Sequence, residues 1–281
     1  MSDMKNSNSR KRTLKQNLAL AGVFLLAAMY LTALISAFFK SEAAQALFRA
    51  SIACTILVPI FLYVFLMAAK AVRPSKSPVI DSIVLDVGNV LVGFPWIEYC
   101  RTLPFSEGFL DRFLSDRRCG EIWAEFDRGV KTFEEVRQMY YDAFPDHQAD
   151  IDLFLDNIDQ CMDVYSYTES FISELKRHGY GVYILSNWSD FLYRRQEAKG
   201  DMAFADLTDG AFWSYRHHLM KPDPAFFQKL IDTYQIDPKR SVFIDDMPKN
   251  TAAASELGFL TILFKDYQDM LRKLGSLGVK I

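Results

Sequence analysis

IVLDVGNVLV, residues 83–92, is the stretch on which the fold turns. Ser82–Leu85 reads as a short buried strand, and it runs directly into a carboxylate, Asp86. Further along the chain, 181–185, 242–244 and 260–264 are equally short apolar runs, and stretches of helical period at 168–178, 191–199, 224–234 and 249–257 interleave with them. Short buried strands alternating with helices predict an α/β fold with a Rossmann-like, doubly wound parallel sheet. In such sheets functional residues gather at the carboxyl ends of the strands.

The alternation breaks once. Residues 87–180, between the first strand and the second, are mostly of helical period. Within them Thr132-Phe133-Glu134-Glu135 has capping-box spacing and opens a helix running towards Ala143. An insertion after the first strand lies over the strand ends, where a lid belongs. A helical cap is therefore expected at about 95–165, within a domain spanning 79–281.

On the amino-terminal side of this domain the composition changes. The chain has 281 residues, 50% of them hydrophobic, and its formal charge of −3 gives no whole-chain attraction to nucleic acid. Two apolar blocks, 17–39 and 50–69, contain no Asp, Glu, Lys, Arg or His. Each reaches the roughly 20 residues that cross a hydrocarbon core. They predict a transmembrane hairpin: a basic amino terminus (1–16), a first span (17–39), an external loop (40–49), a second span (50–69) and a polar linker (70–78). Lys5, Arg10, Lys11, Arg12 and Lys15 precede the first block, and Lys70, Arg73 and Lys76 follow the second, against Lys40 and Arg49 between them. The positive-inside rule then makes both ends cytoplasmic, the localisation multi-pass, the catalytic domain cytoplasmic and the lipid bilayer a partner. A cleaved signal peptide is the rival reading of the first block, whose apolar run is longer than a signal core. Cys54, Cys100, Cys119 and Cys161 show no CxxC or Cys/His grouping, which excludes a zinc motif and reads as ordinary packing.

Four places carry chemistry in a consistent order. Asp86 ends the first strand; Ser186 and Asn187 end the second in VYILSNWSD; Lys221 precedes a helix in LMKPDPAFFQKL; Asp245 and Asp246 end a third strand in SVFIDDMPKN. Separately, each also reads as a turn, a cap or a helix start. Adjacent aspartates are less ordinary, because like charges side by side repel unless a cation or a donor holds them. Together they supply what phosphoryl transfer needs: a carboxylate nucleophile, a hydroxyl with donors for phosphate oxygens, a lysine, and carboxylates for Mg2+. His217 and His218, just before Lys221, and Arg101, Arg117, Arg118 and Trp123 in the cap are secondary candidates, with a turn or solvated helix face as their default role.

In order and local context, these residues resemble the four motifs of the haloacid dehalogenase superfamily, over 79 to about 265. DVGNVLV, SN, KPDPAFF and FIDD look most like its sugar-phosphate phosphatase branch, including the alpha-D-glucose-1-phosphate phosphatases. The resemblance implies that Asp86 attacks phosphorus, that Ser186 and the Asn187 amide hold phosphate oxygens, and that Lys221 offsets the charge around Asp86. It also implies that Mg2+ binds Asp86, the Gly88 carbonyl and an aspartate of the last motif, Asp246 in preference to Asp245. Two positions depart from the superfamily pattern. Gly88 stands where an aspartate usually protonates the leaving group, and Asn250 stands where many members carry a further carboxylate.

Three functions stay open on this reading. The first is a membrane-anchored, magnesium-dependent phosphatase acting on a small phosphate ester, such as a sugar phosphate, through an aspartyl-phosphate. The second is a catalytically weak regulator that binds a phosphorylated ligand or partner at the membrane. The third is carbon–halogen hydrolysis, which needs no acid at position 88.

Overall fold

In the computed structural model, which describes residues 27–28, 30–32, 34–39, 41–71 and 79–281, the chain divides into two units, Met1–Ser75 and Lys76–Ile281. Residues 1–16, most of 17–39 and nearly all of the expected linker lie outside the described residues. In the first unit, helix α1 runs Glu42–Ala71. Its first turn is capped by the Ser41 hydroxyl, which accepts from the Ala44 N–H at 3.3 Å.

That helix takes in most of the segment expected as an external loop and opens on polar side chains, Glu42, Gln45 and Arg49. Among the described residues no helix is long and apolar enough to cross a membrane. The two-span anchor, and with it the multi-pass localisation with a cytoplasmic catalytic domain, is corrected on that finding. An apolar run permits a span only where about 20 successive residues form one apolar cylinder, and the described helices supply none.

The second unit begins with β1 (Ser82–Leu85) and β2 (Val92–Gly93). Five helices follow: α2 (Trp96–Cys100), α3 (Phe109–Ser115), α4 (Arg117–Arg128), α5 (Phe133–Ala143) and α6 (Gln148–Asn157). The chain returns through β3 (Asp163–Val164), α7 (Thr168–Arg177), β4 (Gly181–Ser186), α8 (Asp190–Lys199), β5 (Gly210–Trp213) and the short α9 (Ser214–His217). It closes with α10 (Pro224–Tyr234), β6 (Ser241–Asp245), α11 (Pro248–Glu256), β7 (Leu260–Leu263) and α12 (Tyr267–Ser276).

The sheet order is β5-β4-β1-β6-β7, and every pair is parallel. From β1 the chain winds outward on one side through β4 and β5, then crosses to the other side for β6 and β7. A strand's side chains alternate between faces. Ile83 and Leu85 accordingly join one core with Phe171, Ile172 and Leu175 of α7 and Met270 and Leu274 of α12. Val84 joins the other with Phe226, Phe227 and Leu230 of α10 and Ala254 of α11. Both faces are covered, as a parallel sheet requires.

Register fixes the site. Leu85 pairs with Ile184 on one side and Ile244 on the other, so Asp86, Ser186 and Asp245 emerge on one edge, where the winding reverses. The helical insertion rises from the same edge. It leaves and returns through a separate antiparallel ladder in which Gly93 pairs with Asp163. Its α5 carries the expected capping box: the Thr132 hydroxyl accepts from Glu135 N–H at 3.2 Å and the Glu135 carboxylate from Thr132 N–H at 2.8 Å.

The end of α4 seats this cap on the sheet domain. Gly129 caps α4 with a left-handed φ of 69°, and a Cβ there would stand 2.6 Å from Tyr215 Cα. Gly129→Ala therefore meets both backbone strain and a collision. It should lower the denaturation midpoint of the full chain by roughly 1–3 kcal/mol equivalent. Gly120→Ala is the control, because nothing lies within 4 Å of a Cβ at that helical position. Equal midpoints for the two variants would show that the joint is not where the cap is held.

Candidate active site

Asp86 follows β1 directly and is 7% exposed. Its Oδ1 accepts from the Val87 N–H at 2.7 Å and the Ser186 hydroxyl at 2.8 Å, and it pairs with the Lys221 ammonium at 2.8 Å. Lys221 Nζ also pairs with Asp245 Oδ2 at 2.7 Å. Asp245 is fully committed: its Oδ1 takes the Met247 N–H at 2.8 Å, and the Asn250 side-chain amide donates to both its oxygens at 2.9 and 3.1 Å. An aspartate at position 250 would instead face Asp245 with a like charge, so the departure from the superfamily pattern has a local reason.

Asn187 turns its side chain to Lys221. Oδ1 accepts from the Lys221 N–H at 2.8 Å and Nδ2 donates to the Lys221 carbonyl at 2.9 Å. This two-way clamp fixes the backbone that carries the ammonium. The secondary histidines lie elsewhere. His217 stacks on Phe212 with ring centroids 4.0 Å apart, and the His218 ring meets the Arg128 carbonyl at 3.2 Å. Arg118 is held by Asp116, whereas Arg101, Arg117 and Trp123 line a cavity in the cap.

Asp86, Asp245 and Asp246 bring carboxylate oxygens within 4.8 Å of one another. Set against the one ammonium of Lys221, three carboxylates leave two negative charges uncompensated in a buried place. The titration behaviour follows. Burial pushes Asp86 up to about 8 despite Lys221, with Asp245 adding to the rise. Burial also raises Asp246, against a hydrogen bond from Asn89. Burial alone would raise Asp245, but the charge and hydrogen bond of Lys221 outweigh it and hold that carboxyl below its ordinary value. A divalent cation would supply the missing charge, and oxygen ligands at this spacing suit a hard one.

Two residues with a part in this arrangement escaped sequence reasoning. Asn89 adopts a left-handed φ of 56°. Its Oδ1 accepts from the Phe94 N–H at 3.1 Å and its Nδ2 donates to Asp246 Oδ2 at 2.9 Å, so it holds Asp246 against the start of the cap. An Asn after Gly is a turn former that tolerates this conformation, and that signal was present in the sequence. The other is Asp127, near the end of α4. Burial pushes its carboxyl up to about 7, while a Trp123 hydrogen bond and the Lys221 charge work the other way. Its backbone carbonyl accepts from the Ser214 hydroxyl at 2.5 Å, and Ser214 in turn accepts from the Trp188 N–H at 2.8 Å. In sequence it is one more polar residue on an amphipathic helix, and nothing marked it.

Gly88 is not a conformational necessity. Its φ is outside the left-handed region, and a Cβ would find its nearest neighbour, Trp188 Cζ3, at 4.0 Å.

Comparison with known proteins agrees with this architecture. The chain is similar to "Flavin mononucleotide hydrolase 1" of Arabidopsis thaliana, 24% identical over 74% of this chain and 81% of that one. It is similar to the "Sesquiterpene phosphatase astK" of Aspergillus oryzae, 25% identical over 52% of this chain and 74% of that one. It spans 36% of a longer fungal relative. Among solved structures, a haloacid dehalogenase family enzyme of Bacteroides thetaiotaomicron in complex with magnesium and inorganic phosphate superposes with a TM-score of 0.53, at 25% identity, over 69% of this chain and all of that one. A family model for haloacid dehalogenase-like hydrolases matches residues 80–258, more than half of the sequence, and the chain belongs to that family.

Proposed function

We propose that this hydrolase is a magnesium-dependent phosphatase that cleaves a phosphate monoester through an aspartyl-phosphate on Asp86. One observation carries the reading: Asp86 touches a hydroxyl and a buried ammonium on one side and stands with two further carboxylates on the other. The carboxylates would hold a divalent cation, and that cation together with the Lys221 ammonium would draw the phosphate of an ester to Asp86. The magnesium and phosphate complex of the Bacteroides relative supports the same chemistry.

In this mechanism an Asp86 oxygen attacks phosphorus as the ester oxygen departs, and water then attacks the aspartyl-phosphate to release inorganic phosphate and free the carboxylate. The Ser186 hydroxyl, now bonded to Asp86, turns to a phosphate oxygen together with the Asn187 main-chain N–H. Lys221 offsets the charge that accumulates between Asp86 and Asp245. Asp86, the Gly88 carbonyl and Asp246 would hold Mg2+, with Asp245 kept back by Lys221 and Asn250. The ion supplies Lewis-acid stabilisation of the phosphoryl oxygens. The departing oxygen needs a proton that Gly88 cannot give. Asp127 serves as that donor: it stands at the end of α4, where the Ser214 hydroxyl bonds its carbonyl to the sheet domain, and burial holds its proton to about 7. It takes a proton back from the attacking water. A sugar phosphate is the substrate class that the sequence resemblance suggests.

Three outcomes test this on the full chain. Asp86→Asn should reduce phosphate release from p-nitrophenyl phosphate to background, and near-normal release would exclude Asp86 as nucleophile. Asp246→Asn should raise the half-saturating magnesium concentration by at least about tenfold, since an anionic ligand is lost; an unchanged titration would pass that role to Asp245. An unmutated chain that binds phosphate tightly but turns nothing over would favour the regulator reading.

Asp127→Asn should slow alkyl phosphates about a hundredfold to ten-thousandfold and p-nitrophenyl phosphate far less, because only the basic leaving group needs the acid. Asp127 is protonated and active below about 7, so with saturating magnesium, whose charge would keep Asp86 ionised, turnover of alkyl phosphates by the unmutated chain falls as pH rises through that value. The fall should vanish in Asp127→Asn and return towards normal when Gly88→Asp is added. A pH profile identical in both proteins would remove Asp127 from the mechanism.

A further inference from the structure

The cap contains a cavity of about 550 Å3, within the range that holds small organic ligands. Its wall is aromatic. Phe154 packs against Trp96, Phe113 and Trp123, with ring centroids 6.3, 4.9 and 5.9 Å away. Of the polar groups of the wall, Arg101 and Arg117 are exposed, and Tyr140 and Asp116 are held by neighbours. The Tyr140 hydroxyl donates to the Cys119 carbonyl at 3.0 Å, and Asp116 is held by Arg118 at 2.6 Å. Leu114, 36% exposed, and the outward-facing Arg117 mark where the cavity meets solvent.

Two wall residues adjoin the catalytic carboxylates. The Phe94 N–H bonds to Asn89, which bonds to Asp246, and Trp123 lies one helical turn before Asp127 on α4. A phosphate ester seated on Asp86 therefore has this cavity beside it. A sugar would bring several hydroxyls to a wall made mostly of rings, with few partners for them, and a hydroxyl left without one loses its water unreplaced. A hydrocarbon chain gains on transfer to the same surface. Rigid rings in mutual contact also resist collapse, so the space persists without a ligand to fill it.

We propose that this cavity receives the alcohol portion of the substrate, and that the substrate class is the phosphate monoester of a long apolar alcohol rather than of a sugar. The inference rests on the phosphatase reading given above and deepens it. The cavity acts as a ruler: each methylene that enters it improves kcat/KM by about fourfold, and the gain stops when the space is full. Gly120 lies on the wall, and a Cβ there meets nothing within 4 Å, so a larger side chain at 120 shortens the ruler without a clash at its root.

The test uses the full chain with magnesium and the ethyl, butyl, hexyl and octyl phosphates, below their micellar concentrations, beside glucose 1-phosphate and p-nitrophenyl phosphate. The expected result is a steep rise from ethyl to octyl, octyl phosphate preferred to glucose 1-phosphate, and a Gly120→Leu variant whose octyl-to-ethyl ratio drops at least tenfold. A flat series, or glucose 1-phosphate ahead of octyl phosphate, while p-nitrophenyl phosphate is still hydrolysed, overturns the inference and leaves the phosphatase reading standing. If no ester is hydrolysed, the phosphatase reading is what fails. The cavity is then judged by octylphosphonate binding, followed through tryptophan fluorescence. Saturable binding weakened by Gly120→Leu upholds the apolar site, and no binding, or binding unchanged by that variant, overturns it.

Discussion

The ammonium of Lys221, 1% exposed and within 2.8 Å of both Asp86 and Asp245, is the contact on which the rest of the site depends. A charge so placed loses its hydration, and only close opposite charges compensate it. Removing one member of such a buried set leaves the others uncompensated, typically at about 3–5 kcal/mol. The fold is arranged to hold this group still. Asn187 clamps its backbone from the end of β4, and Asn250 and the Met247 N–H hold Asp245 from the start of α11. Three strand ends are thus drawn to one point by a side chain that belongs to none of them. The arrangement remains two positive charges short, and that shortage suits it to a divalent cation rather than to a closed structural knot.

Much of this could be read from residues alone, because strand ends on a parallel sheet turn a linear order into a spatial one. Asp86, Ser186 and Asp245 are far apart in sequence, yet each ends an apolar run, and parallel register leaves them no other edge to share. The helices α7, α8, α10 and α11 were legible from their apolar period and from the proline opening α10. Strand β5 was not. It is four residues beginning with Gly210, and glycine there reads as a breaker. The structure explains that glycine: a Cβ would lie 2.1 Å from the Tyr234 ring, so the position serves packing against α10 at the expense of its strand signal. The amino-terminal apolar runs misled in the opposite direction. Composition gave them the look of spans, while α1 begins well before the second run, on polar residues.

The cap shows where local pattern ceases to inform. Thr132 and Glu135 announced α5, because a capping box is written within four residues. Asp127 and the ring cluster around Phe154 were silent, because their meaning comes from neighbours supplied by other helices. Asp127 is unusual for its raised carboxyl, a product of its surroundings, not for standing on α4. Likewise Trp96, Phe113, Trp123 and Phe154 lie on four different helices, and no periodicity links them.

The stem of the cap carries a further meaning. The insertion departs at Gly93 and returns at Asp163, and these two residues are paired across an antiparallel ladder. The gap that the insertion bridges is thus no wider than one that a short hairpin turn could close. No strand of the main sheet draws a residue from between those points. Sheet and insertion are therefore separable inheritances: mutation, duplication or exchange can rewrite everything between Gly93 and Asp163 while the register that assembles the charged cluster stays as it is. The charged cluster and the aromatic cavity thus belong to different lengths of chain, joined at a seam two residues long.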